Sequence, residues 1–400
     1  MQDISEIKSI TIIGTGIQGH AIAQVALMAG FSKVILNDLS MELINKAVDS
    51  ILNDPKTGLK VLEKEGKLYD NITTEILVKR LVKEENLQKA VENTDFVIEA
   101  VPEVMSIKKE VFRKLGQFCP GHTIFATNSS TMSITEIGNA SGCPEKVIGM
   151  HFFVAPLENK LIEITKGEKT SKDTLKIAIE VGHKLPSLEG KRLLIELQRE
   201  SPGFIVNRIM SSTEIYINLL IEQAIARNIP FEQLDADVID FMPDGIFYLC
   251  DTIGLDTIFN AMKYFEETLS PDFAPHELFA KLIDENNLGQ KTGRGFYDWS
   301  QNTEPSIDRS KKAGLVDIEL LIAIQLNEGC RILEEGCVSN YKIIDKAVST
   351  GFHLPGPFAM GKKNYKQLVV KLDELAELTG RKYLKPCKLM RSGGFLDMRK

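Results

Sequence analysis

The sequence predicts an α/β N-terminal half built on a parallel sheet, followed by two mainly α-helical domains. Three observations predict it. A short apolar run, a helical stretch and a second apolar run succeed one another within about thirty residues near the start. Further short apolar runs recur as far as residue 166, and from residue 203 onward the apolar period becomes helical.

The elements follow in order. Residues 10–13, ITII, read as a buried strand ending at a glycine, and the pattern through Ala21–Ala29 is helical until Gly30 breaks it. Residues 33–37, KVILN, read as the second strand of a βαβ unit, which requires parallel pairing. Residues 39–66 read as a helical insertion: MELINKAVDSIL, a turn at NDPKTG, then a lysine-bearing helix. FVIEAV at 96–101, TIFATN at 123–128, KVIGMHFF at 146–153 and KLIEITK at 160–166 supply more strands. A helix is expected over 172–184, and then Pro186, Gly190 and Pro202 punctuate one more strand and a domain boundary. The polar stretch SQNTEPSIDR at 300–309 reads as a linker. The expected domains are 1–200, 201–299 and 310–400. The last resembles the second: LLIEQAIARNIPFEQLD at 219–235 parallels ILEEGCVSNYKIID at 332–345, which suggests a repeat.

Composition narrows the function classes. With 43% hydrophobic and 26% charged residues among 400, the chain reads as an ordinary globular protein with room for a large core. A net charge of −7 argues against a nucleic-acid surface. There is no run long and apolar enough to span a membrane, and MQDISEIKSI does not read as a secretory signal, so a cytoplasmic protein is expected. The six cysteines form no C-x-x-C pair and read as buried reduced thiols; the six histidines show no metal-ligand spacing, so no metal is expected.

The first strand opens into Gly14-Thr15-Gly16-Ile17-Gln18-Gly19, a G-x-G-x-x-G turn between strand and helix. Gly14 permits the tight turn, Gly16 lets the main chain approach a pyrophosphate, and Gly19 lets helix and strand pack closely. The helix N-terminus, with Ile17 and Gln18 in its first turn, offers free N–H groups to phosphates. Asp38, at the end of the next strand, suits the ribose hydroxyls and repels a 2′-phosphate, and no Arg or Lys follows it. This reads as a Rossmann-type domain for NAD rather than NADP; FAD is the rival for the same turn.

His151 closes the run KVIGMHFF and Glu163 lies in KLIEITK, twelve residues on. If the two strands pair antiparallel across a bend near Leu157, the even separation sets both side chains on one face. A carboxylate beside a histidine fixes its tautomer and stabilises the imidazolium, which suits a base taking a hydroxyl proton.

From Thr11 to about Trp299 the chain resembles the L-3-hydroxyacyl-CoA dehydrogenases, through GTGIQGHAIAQ, TDFVIEAVPE, TNSSTMSITEI, VIGMHFF, KLIEI, SPGFIVNR, DTIGLDT and KTGRGFYDW in the family's order. The final segment resembles the duplicated C-terminal domain of longer members. The resemblance implies an NAD-dependent dehydrogenase of fatty-acid metabolism acting on an acyl-CoA. It implies His151 as general base, Glu163 as its orienting partner, Ser130 near the substrate oxygen and nicotinamide, and Asn207 positioning the substrate. It implies Glu103 and Lys108 at the ribose and nicotinamide end and Lys291 as a further dinucleotide contact. A repeat over 310–400 would cover the face through which shorter relatives dimerise, so a monomer is expected ahead of a homodimer.

The chain departs from the family where H-F-F-N-P becomes His151-Phe152-Phe153-Val154-Ala155 and where M-G-P-F-E-L becomes Asp244-Gly245-Ile246-Phe247-Tyr248-Leu249. Extra sequence surrounds Leu188–Leu197. Lys56, Lys60, Lys64 and Lys67 are candidates for CoA phosphates or a solvated helix face. Two other readings stay open: a dehydrogenase of another 3-hydroxy compound (sugar acid or carnitine), and a catalytically weak relative that binds NAD or acyl-CoA.

Overall fold

A computed structural model describes residues 4–68, 72–300 and 305–398; residues 301–304 of the expected linker lie outside the described residues. The chain folds as two compact units, one of Met1–Phe204, Glu335–Ser339 and Lys346–Leu354, the other of Ile205–Glu334, Asn340–Asp345 and Pro355–Lys400.

The first unit carries β1 (Ser9–Ile13), α1 (Ile17–Met28), β2 (Lys33–Asn37), α2 (Met41–Asn53), α3 (Leu59–Lys64), α4 (Thr74–Lys79), β3 (Leu81–Lys83), α5 (Leu87–Val91) and β4 (Phe96–Glu99). It continues with α6 (Met105–Phe118), β5 (Ile124–Thr127), α7 (Ile134–Ser141), β6 (Val147–Phe152), β7 (Leu161–Lys166), α8 (Lys172–Lys184) and β8 (Leu193–Leu197). The eight strands form one sheet in the order β3-β2-β1-β4-β5-β6-β7-β8. All neighbours are parallel except β6 and β7, which are antiparallel. Every residue of β1, β4, β5 and β6 is buried, which is why these strands read as continuous apolar runs rather than alternating ones.

The expected strands and helix α8 fall where the sequence sets them, within a residue or two. Strand β3 escaped the sequence reading because it is three residues long, half-exposed, and runs into the charges of KEEN. The extra sequence near Leu188–Leu197 forms β8, parallel to β7. It also supplies Arg192, a buried guanidinium that donates to the carbonyls of Leu185, Asn159, Pro156 and Pro186 and so binds the β6–β7 loop to the segment after α8.

The second unit is helical: α9 (Val206–Ser211), α10 (Glu214–Arg227), α11 (Phe231–Val238), α12 (Ile246–Ile253), α13 (Leu255–Thr268) and α14 (Glu277–Asp284), then α15 (Ile318–Glu334), α16 (Tyr341–Gly351), α17 (Pro357–Gly361), α18 (Tyr365–Thr379) and α19 (Lys388–Ser392). The last residues of α16 belong to the first unit. Among the described residues no helix is long and apolar enough to cross a membrane.

Candidate active site

The glycine turn has the geometry that its residues dictate. Gly14 has φ +85°, and a Cβ there would come within 2.6 Å of the Ala100 carbonyl oxygen. A Cβ on Gly19 would lie 1.8 Å from the Gly14 oxygen, so helix and turn meet without side chains. A Cβ on Gly16 would meet nothing within 4 Å, so the main chain there faces open space. No side chain caps the N-terminus of α1. An uncapped helix start beside an open glycine fits a pyrophosphate.

Asp38 follows β2 and turns back onto this loop. Its Oδ2 accepts from Thr15 N and Thr15 Oγ1, both at 2.7 Å, and its Oδ1 accepts from Leu39 N at 2.7 Å. Thr15 thus holds the carboxylate at the mouth of the turn. Ile17 and Leu39, large apolar side chains, stand exposed.

His151 and Glu163 are direct partners in the antiparallel β6–β7 pair. Both are buried, and His151 Nδ1 donates to Glu163 Oε2 at 2.8 Å. A carboxylate acceptor puts the proton on Nδ1 and the lone pair on Nε2. The ring of Phe153 lies 4.5 Å from the imidazole and that of Phe204 5.9 Å from it. Val154 is exposed, and Ala155 has φ +57°, which a proline cannot adopt. The H-F-F-V-A departure therefore changes the backbone as well as a side chain.

Glu103 gathers the loop after β5. Its Oε1 accepts from Ser129 Oγ at 2.7 Å, Ser130 N at 2.8 Å and Thr131 N at 3.1 Å, and Ser130 Oγ stands at 3.3 Å. Burial alone would raise its carboxyl, but Lys108 and these hydrogen bonds outweigh it and hold the group below the ordinary range. Lys108 is itself buried, between Glu99 at 2.8 Å and Glu103 at 3.1 Å. Burial opposes its charge, and the two carboxylates reverse that and raise it. Lys108 thus meets two carboxylates, and Glu103 is the half-exposed member of the trio.

Asn207 is the second residue of α9, half-buried, in the helical unit. Lys291 lies in the same unit, half-exposed, with its Nζ 2.5 Å from Asp256. The structure therefore gathers Gly14–Gly19 with Asp38, His151 with Glu163, and Glu103 with Lys108 and Ser130 in the first unit, while Asn207 and Lys291 belong to the second. Lys56, Lys60, Lys64 and Lys67 are all exposed, and Lys67 pairs with Glu65 at 2.7 Å.

Three contributors went unnoticed in the sequence. Glu99 ends β4 and binds Lys108, Val101 N and Thr127 Oγ1. Its signal was there: an acid closing an apolar strand needs a partner. Asn128 accepts from Phe152 N at 2.9 Å, steadying the strand that carries His151. Thr15 held no signal, since the middle positions of the turn are free in sequence.

Comparison with known proteins gives one consistent result. Residues 9–188 match the family described as 3-hydroxyacyl-CoA dehydrogenase, NAD binding domain, and residues 203–299 match 3-hydroxyacyl-CoA dehydrogenase, C-terminal domain. The mitochondrial hydroxyacyl-coenzyme A dehydrogenase of Sus scrofa is 33% identical over 298 residues, covering 73% of this chain and 91% of that protein. The probable 3-hydroxybutyryl-CoA dehydrogenase of Bacillus subtilis is 33% identical over 302 residues, covering 74% and 99%. The fatty acid oxidation complex subunit alpha of Vibrio vulnificus is 28% identical across 97% of this chain, which spans 55% of that protein. Among solved structures, the 3-hydroxybutyryl-CoA dehydrogenase of Escherichia coli superposes with a TM-score of 0.82 at 25% identity, covering 98% of this chain and 99% of the other.

Proposed function

The chain belongs to the 3-hydroxyacyl-CoA dehydrogenase family, and we propose that it interconverts an L-3-hydroxyacyl-CoA and its 3-ketoacyl-CoA through the His151–Glu163 pair. The observation that carries this reading is the buried 2.8 Å contact between His151 Nδ1 and Glu163 Oε2. Bound NAD supplies the acceptor for the hydride that leaves C3. His151 Nε2, left with the lone pair, takes the 3-hydroxyl proton as C3 becomes a carbonyl, and returns it in the reverse direction. Glu163 stabilises the imidazolium formed in that step and keeps the ring from turning.

The remaining residues orient the reactants. The turn Gly14, Gly16, Ile17, Gln18 and Gly19 would hold the pyrophosphate through its main-chain N–H groups, and Asp38 the adenosine ribose. Glu103, held by Lys108, would meet the second ribose. Ser130 and Asn207 take the substrate oxygen, and Lys291 a further dinucleotide contact, on the resemblance of their surrounding motifs. The exposed lysines of α3 and its flanks suit the CoA phosphates.

The segment 310–400 reads as a second copy of the helical domain 201–299, following an N-terminal domain of 1–200. Support comes from two aspartates. Asp235 accepts from Ile246 N and Phe247 N at the start of α12, and Asp345 accepts from Phe358 N at the start of α17. In each case a glycine before the helix, Gly245 or Gly356, leaves room for the carboxylate. Such a copy favours a monomer over a homodimer.

A substrate panel tests the activity. NADH oxidation with acetoacetyl-CoA should exceed that with free acetoacetate or dehydrocarnitine by at least about 10² in kcat/KM. Turnover confined to dehydrocarnitine or a keto sugar acid would mean another 3-hydroxy compound. NADH binding with no turnover on any of them would mean a non-catalytic relative.

A further inference from the structure

Gln18 sits in the first turn of α1, and its carboxamide reaches beyond the glycine turn. Its Nε2 donates to the Phe152 carbonyl oxygen at 2.9 Å. Phe152 N in turn donates to Asn128 Oδ1 at 2.9 Å. The residue immediately after His151 is therefore held on one side by the nucleotide turn and on the other by the loop after β5.

The other end of the same carboxamide is unmatched. Gln18 Oε1 is buried and has no hydrogen-bond partner among the described residues. Leaving a buried acceptor without a donor is unfavourable, and a residue needed only as a tether would use its N–H group alone. The oxygen is therefore free to accept from a ligand donor.

NAD offers donors at its adenine amine, its ribose hydroxyls and its nicotinamide carboxamide, and none on its pyrophosphate. Asp38 marks the adenosine end, at the close of β2. Gln18 is tied to the neighbour of His151. A base that takes a proton from the hydroxyl whose carbon loses hydride must stand at the nicotinamide end.

We propose that Gln18 Oε1 accepts an N–H from the nicotinamide carboxamide, so that one side chain fixes the rotation of the ring and the strand that carries the base. The inference rests on the reading of His151 as that base.

The test compares affinities rather than turnover. Calorimetric titration of the full chain with NAD, with its 3-acetylpyridine analogue and with ADP-ribose is carried out on wild type and Gln18→Met. The analogue keeps the carbonyl and lacks the N–H; ADP-ribose lacks the ring. The preference for NAD over the analogue should fall about fivefold in Gln18→Met, the equivalent of about 1 kcal/mol. ADP-ribose should bind both proteins within about twofold. An unchanged preference overturns the proposal. So does an equal loss for all three ligands, which would make Gln18 structural only. If Gln18→Met does not fold, Gln18→Asn, which draws the carboxamide back by one methylene, gives the same comparison. No proton transfer enters these affinities, so failure here leaves the role of His151 untouched, and failure of that role is seen in turnover instead.

Discussion

Glu163 Oε2 lies 2.8 Å from His151 Nδ1, and the two residues face each other directly across the antiparallel β6–β7 pair. The register of a buried ladder thus builds the pair, and a slip of one residue would separate it. Glu163→Gln keeps an acceptor for Nδ1–H and removes the charge. Its kcat should fall by about 10²-fold, with NADH affinity within about twofold. Steady-state kinetics with fluorescence titration checks this; a kcat within about threefold of wild type would leave Glu163 a structural residue.

Lys108 is a buried cation held by two carboxylates, so removing it strands both charges. Lys108→Met should cost about 3–5 kcal/mol of stability. Urea unfolding measures it, and a loss below about 1 kcal/mol would contradict the account. Adding Glu99→Gln should restore part of the loss, because it removes one stranded charge.

Much of this arrangement was legible in sequence. The glycine turn and Asp38 are local patterns, the His151–Glu163 spacing faces the two residues together once β6 and β7 pair antiparallel, and the parallel strands read as apolar runs because they are buried on both faces. What was not legible depends on partners far apart in the chain. Asn128 meets Phe152 and Thr127 meets Glu99 only because β4, β5 and β6 lie side by side. Strand β3 has too few residues to show a period, and its pairing comes from β2. The backbone at Ala155 could not be read either, since a positive φ at alanine leaves no compositional sign.

We propose that Asp38 carries the choice between NAD and NADP. Asp38→Ser removes the acceptor for a ribose and the repulsion toward a 2′-phosphate. NAD should bind about tenfold more weakly, and the preference for NAD over NADP should shrink by about 10². Titration with both nucleotides decides it; an unchanged ratio would move cofactor selection elsewhere.

Glu214 opens α10 inside the helical unit, and burial, partly offset by a hydrogen bond to Ser211, pushes its carboxyl up to about 8 from an ordinary value of 4.5. The folded value exceeds the unfolded one, so the neutral acid suits the fold. Its contribution is full below pH 4.5 and is lost as pH rises through about 8. Within that window wild type should lose about 1.4 kcal/mol per pH unit relative to Glu214→Gln. Urea midpoints for both proteins at about pH 5, 7 and 9 check the slope, and parallel curves would contradict it.

The most direct measurement follows NADH absorbance with acetoacetyl-CoA, using wild type and His151→Gln, alongside NADH binding to both. Rapid oxidation by wild type, a loss of about 10²–10⁴ in kcat for the variant and retained NADH binding are the predicted result. Comparable turnover by the variant, or none by a wild type that binds NADH, would contradict the account.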